Sequence, residues 1–147
     1  MKDFNRSYIR KIVLESVFQY DFGNNSCENA FNYFENYEKY DNLKSYEKEE
    51  IRNYISGIYD NLKEFDEIIG KYLINWDIER LGTVEKSVIR IAMFELKERS
   101  FIPVKVIMNE AIELTKIYSE ADSSKFVNGI LDKIAKKEFK RTDFEEA

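Results

Sequence analysis

Apolar residues recur along this 147-residue chain at intervals of three and four, the spacing of one buried face on an α-helix. A first helix is predicted from about Asn5 to Phe22, burying Ile9, Ile12, Val13, Val17 and Tyr20, with Gly23-Asn24-Asn25 ending it. A second follows from about Ser26 to Tyr40, with Cys27, Ala30, Phe31 and Phe34 on one side. Ser45 is placed to cap a third, and Glu47, Glu49 and Glu50 sit in its first turns, where the helix dipole favours acids. Ile51, Tyr54, Ile55, Ile58, Leu62, Phe65, Ile69, Tyr72 and Leu73 keep the period, predicting one long helix with a bend near Gly57 or Gly70. "NWDIERLGTVEK" interrupts the pattern and includes a short turn around Ile78 to Leu81. Thr83 then caps a helix from Val84 to about Arg99, Pro103 opens another that runs to about Tyr118, and Asp122 or Ser123 caps the last, about Ser124 to Glu138. The prediction is an all-α fold of about seven helices in two closely packed bundles. They form one domain, with an N-terminal bundle over about 1–76, a C-terminal bundle over about 77–141, and a polar tail at 142–147.

One stretch departs from a plain amphipathic pattern. In "SSKFVNGILDK", Val127, Ile130, Leu131 and then Ile134 form the buried stripe, yet Phe126 lies beside it and Gly129 interrupts a good helical run. At about 100° per residue with Phe126 as zero, the stripe centres near 90°, while Asp122, Gly129 and Lys133 fall near −40°, −60° and −20°. An aromatic ring, a glycine and charges therefore share one flank. Such a set suits single-stranded RNA, where rings stack on unpaired bases and a glycine admits the strand. The other reading is that Phe126 seals the core edge and Gly129 permits close helix packing.

Composition narrows the chemistry. The chain has no histidine and one cysteine, Cys27, which excludes an internal disulfide, Cys/His zinc sites and catalysis through histidine. None of the five glycines falls in a phosphate-binding loop pattern, so no cofactor is expected. Carboxylates alternate with lysines at helical spacing, as in "YEKEEIRNY", the pattern of solvated helix faces. No apolar run approaches the ~18 residues of a membrane span and the start lacks the apolar core of a signal peptide, so a cytoplasmic location is expected. The net charge of −5 is unevenly spread: +2 over residues 1–20, −8 over 21–79, +4 over 80–141 and −3 over 142–147. A chain polarised in this way can hold an anion on one face and repel it elsewhere.

"RLGTVEKSVIRIAMFELKERSFIPVKVIMNEAIELTKIYSEADSSKFVNGILDK", Arg80 to Lys133, resembles the NusB family of bacterial transcription antitermination factors, most specifically in "NEAIELTK" and "KFVNGILDK". "RKIVLESVFQYDF" is similar to that family's first helix and "YISGIYDN" to its third; the likeness is weakest from Asn24 to Lys44. The resemblance implies a small all-helical protein that is not an enzyme. It also implies pairing with the small-subunit ribosomal protein NusE, binding to the boxA element of ribosomal RNA leader transcripts, and action with other Nus factors and RNA polymerase as a monomer or homodimer. Two rivals accompany it. One is a helical protein-interaction module that has lost RNA binding, and the other a fragment related to rRNA cytosine methyltransferases, disfavoured because the chain leaves no room for that domain.

By the same resemblance the RNA surface starts with Arg6 and Arg10, one turn apart, with Lys2 upstream; Ser7 and Tyr8 stand where basic residues are common. Each such cation can contact a phosphate, and Tyr8 can stack on a base. Lys86 and Arg90 extend the basic surface in one reading and pair with neighbouring acids in the other. Asp122, Lys125 and Phe126 complete the RNA-facing set. Asp122 is expected to cap its helix while repelling phosphate. Phe18, Glu79 and Glu85 match positions expected to face NusE, whose basic character suits carboxylates. Trp76, Asn109 and Glu110 are expected to be internal.

Overall fold

The computed structural model describes residues 5–23, 26–73 and 81–141. Among these are seven α-helices and no strand: α1 (Arg6–Val17), α2 (Cys27–Asn36), α3 (Ser45–Asp60), α4 (Leu62–Lys71), α5 (Thr83–Glu98), α6 (Val104–Tyr118) and α7 (Ala121–Lys137). Short 3-10 turns follow α1, at Phe18–Phe22, and α2, at Glu38–Tyr40. The chain divides into two compact units, Met1–Asp60 and Asn61–Ala147.

In the first unit α1 packs on α2 and α3, and α2 on α3. Asn5 caps α1 by accepting the Tyr8 N–H at 3.1 Å, and Gly23, at φ 85°, closes the 3-10 turn in the left-handed region that glycine enters without strain. Ile9, Ile12, Val13 and Val17 of α1, Phe34 of α2 and Ile51, Tyr54, Ile55 and Ile58 of α3 form the core. Each such side chain contributes about 1.5–3 kcal/mol on leaving water. The tight turn after Val17 leaves Tyr20 half-buried rather than in the core, and Cys27 is likewise at the edge.

The second unit is built on α5, which touches α4, α6 and α7; α6 also packs along α7. Every α5 residue from Glu85 to Leu96 is buried. Ile107, Ala111 and Leu114 of α6 and Val127, Ile130, Leu131 and Ile134 of α7 pack in the same unit. Beyond α7 the Arg141 guanidinium donates to the carbonyls of Leu96 at 3.2 Å and Ile102 at 2.8 Å, tying the chain back to the α5–α6 turn.

Several boundaries differ from the sequence expectation. The long helix predicted over Ser45 to Leu73 is two helices, broken at Asn61 rather than bent at Gly57 or Gly70, which lie inside α3 and α4. Asparagine competes poorly for helix interiors, and here its Oδ1 accepts from Lys97 Nζ at 2.8 Å while its backbone turns to φ −107°, ψ 9°. The residues predicted as caps of α5 and α7 are not the caps. Gly82 precedes α5, and Glu120 precedes α7 without a side-chain cap, leaving Asp122 in the first turn. Likewise Ser45 is the first residue of α3, and Glu47 reaches back to the Lys44 N–H at 2.8 Å. Asn109 is exposed, not internal. The expected bundle junction near 76, the turn from Ile78, Trp76 and the tail from 142 lie outside the described residues.

Candidate nucleic-acid interface

α7 displays its flank as the helical wheel predicts. Val127, Ile130, Leu131 and Ile134 are at most 4% exposed, whereas Asp122, Lys125, Phe126, Gly129 and Lys133 are all exposed. Phe126 keeps 38% of its surface in solvent, large for a phenylalanine. A Cβ added at Gly129 would meet nothing within 4 Å, so the glycine does not serve close helix packing. The packing reading of Gly129 is thereby removed, and its backbone is open to a ligand. Asp122 lies where the helix dipole stabilises a negative charge. Lys125 and Lys133 form no ion pair with another described residue, whereas Lys136 is paired with Asp132 at 3.2 Å.

The cations expected on α1 and α5 are placed differently. Arg6 donates from NH1 to Glu50 Oε2 at 2.8 Å and to the Tyr54 hydroxyl at 2.9 Å, leaving 17% of its side chain exposed. Burial works against the charge, but the bonds to Glu50 and Tyr54 outweigh it and hold the guanidinium pKa above its ordinary value. Arg10 is only 3% exposed. On α5, Lys86 is buried, and Arg90 grips Asp66 of α4 with both ends of its guanidinium, Nε to Oδ1 and NH2 to Oδ2, each at 2.9 Å. For Lys86 and Arg90 the expectation of a surface cation is corrected. α5 has no outward face at those positions, and a buried cation must be matched by an acid. Lys2 lies outside the described residues.

Of the residues expected to face a protein partner, Glu79 lies outside the described residues and Phe18 is half-buried at the start of the first 3-10 turn. Glu85 is corrected to an internal role. It is 8% exposed, and its Oε2 accepts from the Ser119 hydroxyl at 2.6 Å, linking the start of α5 to the end of α6. Its carboxylate folds back over Gly82 so closely that a Cβ there would collide with it. A side chain at position 82 would therefore displace the end of Glu85 from this place.

The first unit also holds a feature the sequence reading does not reach. A cleft of about 210 Å³ is lined by Tyr8, Lys39, Tyr40, Asn42, Leu43 and Glu47. Tyr8 and Tyr40 meet edge to face with centroids 6.2 Å apart, and Tyr37 meets Tyr40 in the same way at 5.1 Å. Tyr40 is 3% exposed, and its hydroxyl donates to the Glu15 carboxylate. Burial and that bond push its phenol far above the ordinary tyrosine range, so it stays a neutral donor. The lining comes from α1, the second 3-10 turn, the approach to α3 and the first turn of α3. The only sequence signal is the run of tyrosines at 33, 37 and 40.

Among the described residues no group of three or more Cys, Asp or Glu is arranged to hold a metal ion, and no helix is long and apolar enough to cross a membrane. Comparison with known proteins gives a consistent result. Residues 7–136 match the NusB family. The transcription antitermination protein NusB of Pseudothermotoga lettingae is 40% identical over 131 residues, covering 89% of this chain and 91% of its own. The crystal structure of T. maritima NusB superposes with a TM-score of 0.81 at 36% identity, over 92% of this chain and 94% of that one. A crystal structure of the antitermination factors NusB and NusE in complex with dsRNA contains a chain with a TM-score of 0.78 at 26% identity, covering 89% of this chain and 96% of that one.

Proposed function

Because the chain belongs to the NusB family, we propose that it is a transcription antitermination factor that binds RNA jointly with NusE. Its relatives carry that name, and a structural neighbour is held with NusE and RNA. On this reading it works in the cytoplasm, as a binding protein rather than an enzyme. It holds the boxA element of ribosomal RNA leader transcripts while RNA polymerase, with the other Nus factors, reads through terminators. A single binding element supports this most: the open flank of α7, where Phe126 offers a ring, Lys125 a cation and Gly129 an accessible backbone. Such elements suit stacking on unpaired bases with phosphate contacts alongside. Asp122 beside them limits affinity and biases where phosphate can lie. Lys2 and Arg6 for RNA, and Phe18 and Glu79 for NusE, keep the roles that the family likeness implies.

With Arg10, Lys86 and Arg90 drawn inside, fewer of the expected cations remain for phosphate, and each lost contact lowers salt-dependent affinity. The protein alone should hold RNA weakly, and NusE completes the site, since joining two weak contacts raises the effective concentration of each. The same scarcity favours a second reading, a protein-interaction module that no longer binds RNA. Anisotropy titration of labelled boxA RNA at near-physiological salt, alone and with equimolar NusE, separates the two. Selective binding over a scrambled strand that is tight only with NusE supports the first. Equal binding of both strands in both conditions supports the second.

A further inference from the structure

We propose that the tyrosine-lined cleft of the first unit receives a single unpaired nucleobase of the bound RNA, an inference that rests on the RNA reading above. The cleft of about 210 Å³ is smaller than the ~300–1,000 Å³ of pockets that enclose whole drug-sized ligands, and so fits one planar fragment of a longer chain. Its aromatic wall is fixed in advance. Tyr40 is held by burial and by Glu15, and Tyr8 is braced against it edge to face, so a base can stack on Tyr8 without ordering a mobile ring.

The polar groups match the rest of a nucleotide. Lys39 is exposed, with Nζ 5.7 Å from the Tyr40 ring centroid, which puts a cation at the cleft for the phosphate of the inserted residue. Asn42 is exposed, and its amide offers both a donor and an acceptor to a base edge. Glu47 has one oxygen occupied by the Lys44 N–H at 2.8 Å and keeps acceptor capacity beside the cleft. An acceptor there favours bases carrying an amino group. It disfavours uracil, which flanks its one N–H with two carbonyl oxygens that would face the carboxylate. The segment from Asn24 to Lys44, which supplies much of the lining, is also where the likeness to the NusB family is weakest. Tyr8 stands where that family often has a basic residue, so the cleft replaces charge with stacking.

The test is anisotropy of the full-length protein with NusE, using boxA strands that each carry one abasic residue. Apart from any position stacked on Phe126, wild-type protein should lose about tenfold in affinity at one further position, as expected for losing one aromatic–base stack. That position should tolerate an amino-bearing base better than uracil. Tyr8→Ala and Asn42→Ala should each bind the intact strand several-fold more weakly and show a smaller further loss at the abasic position than wild type does, while Tyr8→Phe keeps wild-type behaviour. If Tyr8→Ala fails to fold by circular dichroism, the exposed Asn42 decides the matter alone. Variants that bind RNA like wild type, or an abasic series in which no sensitive position loses its sensitivity in Tyr8→Ala or Asn42→Ala, overturn the cleft and leave the RNA reading standing. A wild-type protein that binds no RNA with or without NusE overturns both.

Discussion

On α7, Lys125, Phe126 and Lys133 stand out from the helix, whereas on α5, Lys86 and Arg90, one turn apart, are each less than a tenth exposed. The two helices lie in the same unit and carry similar numbers of charges, but α5 is buried all round from Glu85 to Leu96 and α7 keeps one open side. Charge on a helix therefore says little about its use until the neighbours are known. On the open side a cation stays in water and is available to a partner. On the enclosed helix it must be answered by an acid, as Arg90 is by Asp66.

The contrast can be broken most severely at Arg90. Arg90→Ala leaves Asp66 without its bidentate partner and should lower unfolding free energy by about 3 kcal/mol in urea denaturation, in the range seen when one side of a buried pair is removed. Unchanged stability with a fall in RNA affinity would return Arg90 to the RNA surface and erase the distinction. Phe126→Ala should do the opposite, reducing RNA affinity about tenfold. Its urea midpoint should fall less than that of Arg90→Ala, since 38% of the Phe126 surface already lies in solvent.

Two smaller effects sharpen the picture of the open side. Asp122→Asn should tighten RNA binding about two- to fivefold at moderate salt, since unit charges near 4 Å in water interact by about 1 kcal/mol. The helix should lose only the dipole contribution of that charge, about 0.3–1 kcal/mol, because Asp122 sits in the first turn and not at the cap. Equal or weaker affinity would move the RNA away from the α7 start. Gly129→Ala should raise stability by about 0.5–1 kcal/mol, because alanine costs less than glycine to order in a helix and its Cβ meets nothing. It should nonetheless weaken RNA binding if a strand approaches the backbone there; titration of the stabilised variant reads both effects in one protein.

The apolar period of α7 was enough to place Phe126, Gly129 and Lys133 together on one flank, because a single helix fixes its own angular geometry, while the openness of that flank came only from the packing around it. The same reasoning could not tell that Glu85 folds back over Gly82 toward Ser119, since that contact joins α5 to the end of α6 across 34 residues. Nor could it find the break at Asn61, where the apolar period runs on through a residue whose side chain is engaged by Lys97. The tyrosine cleft is the extreme case, as Tyr8 and Glu47 come from opposite ends of the first unit's sequence.

Helix content, the core stripes, the absence of histidine chemistry and the likeness to the NusB family were thus all determined by the order of residues, because each depends on local periodicity or on residue identity. The fate of the individual charges was decided only by tertiary packing. Whether Arg6, Arg10, Lys86, Arg90 and Glu85 face solvent or one another depends on which helix covers them. The free energy of a charge changes far more between water and a protein interior than between any two positions on an isolated helix.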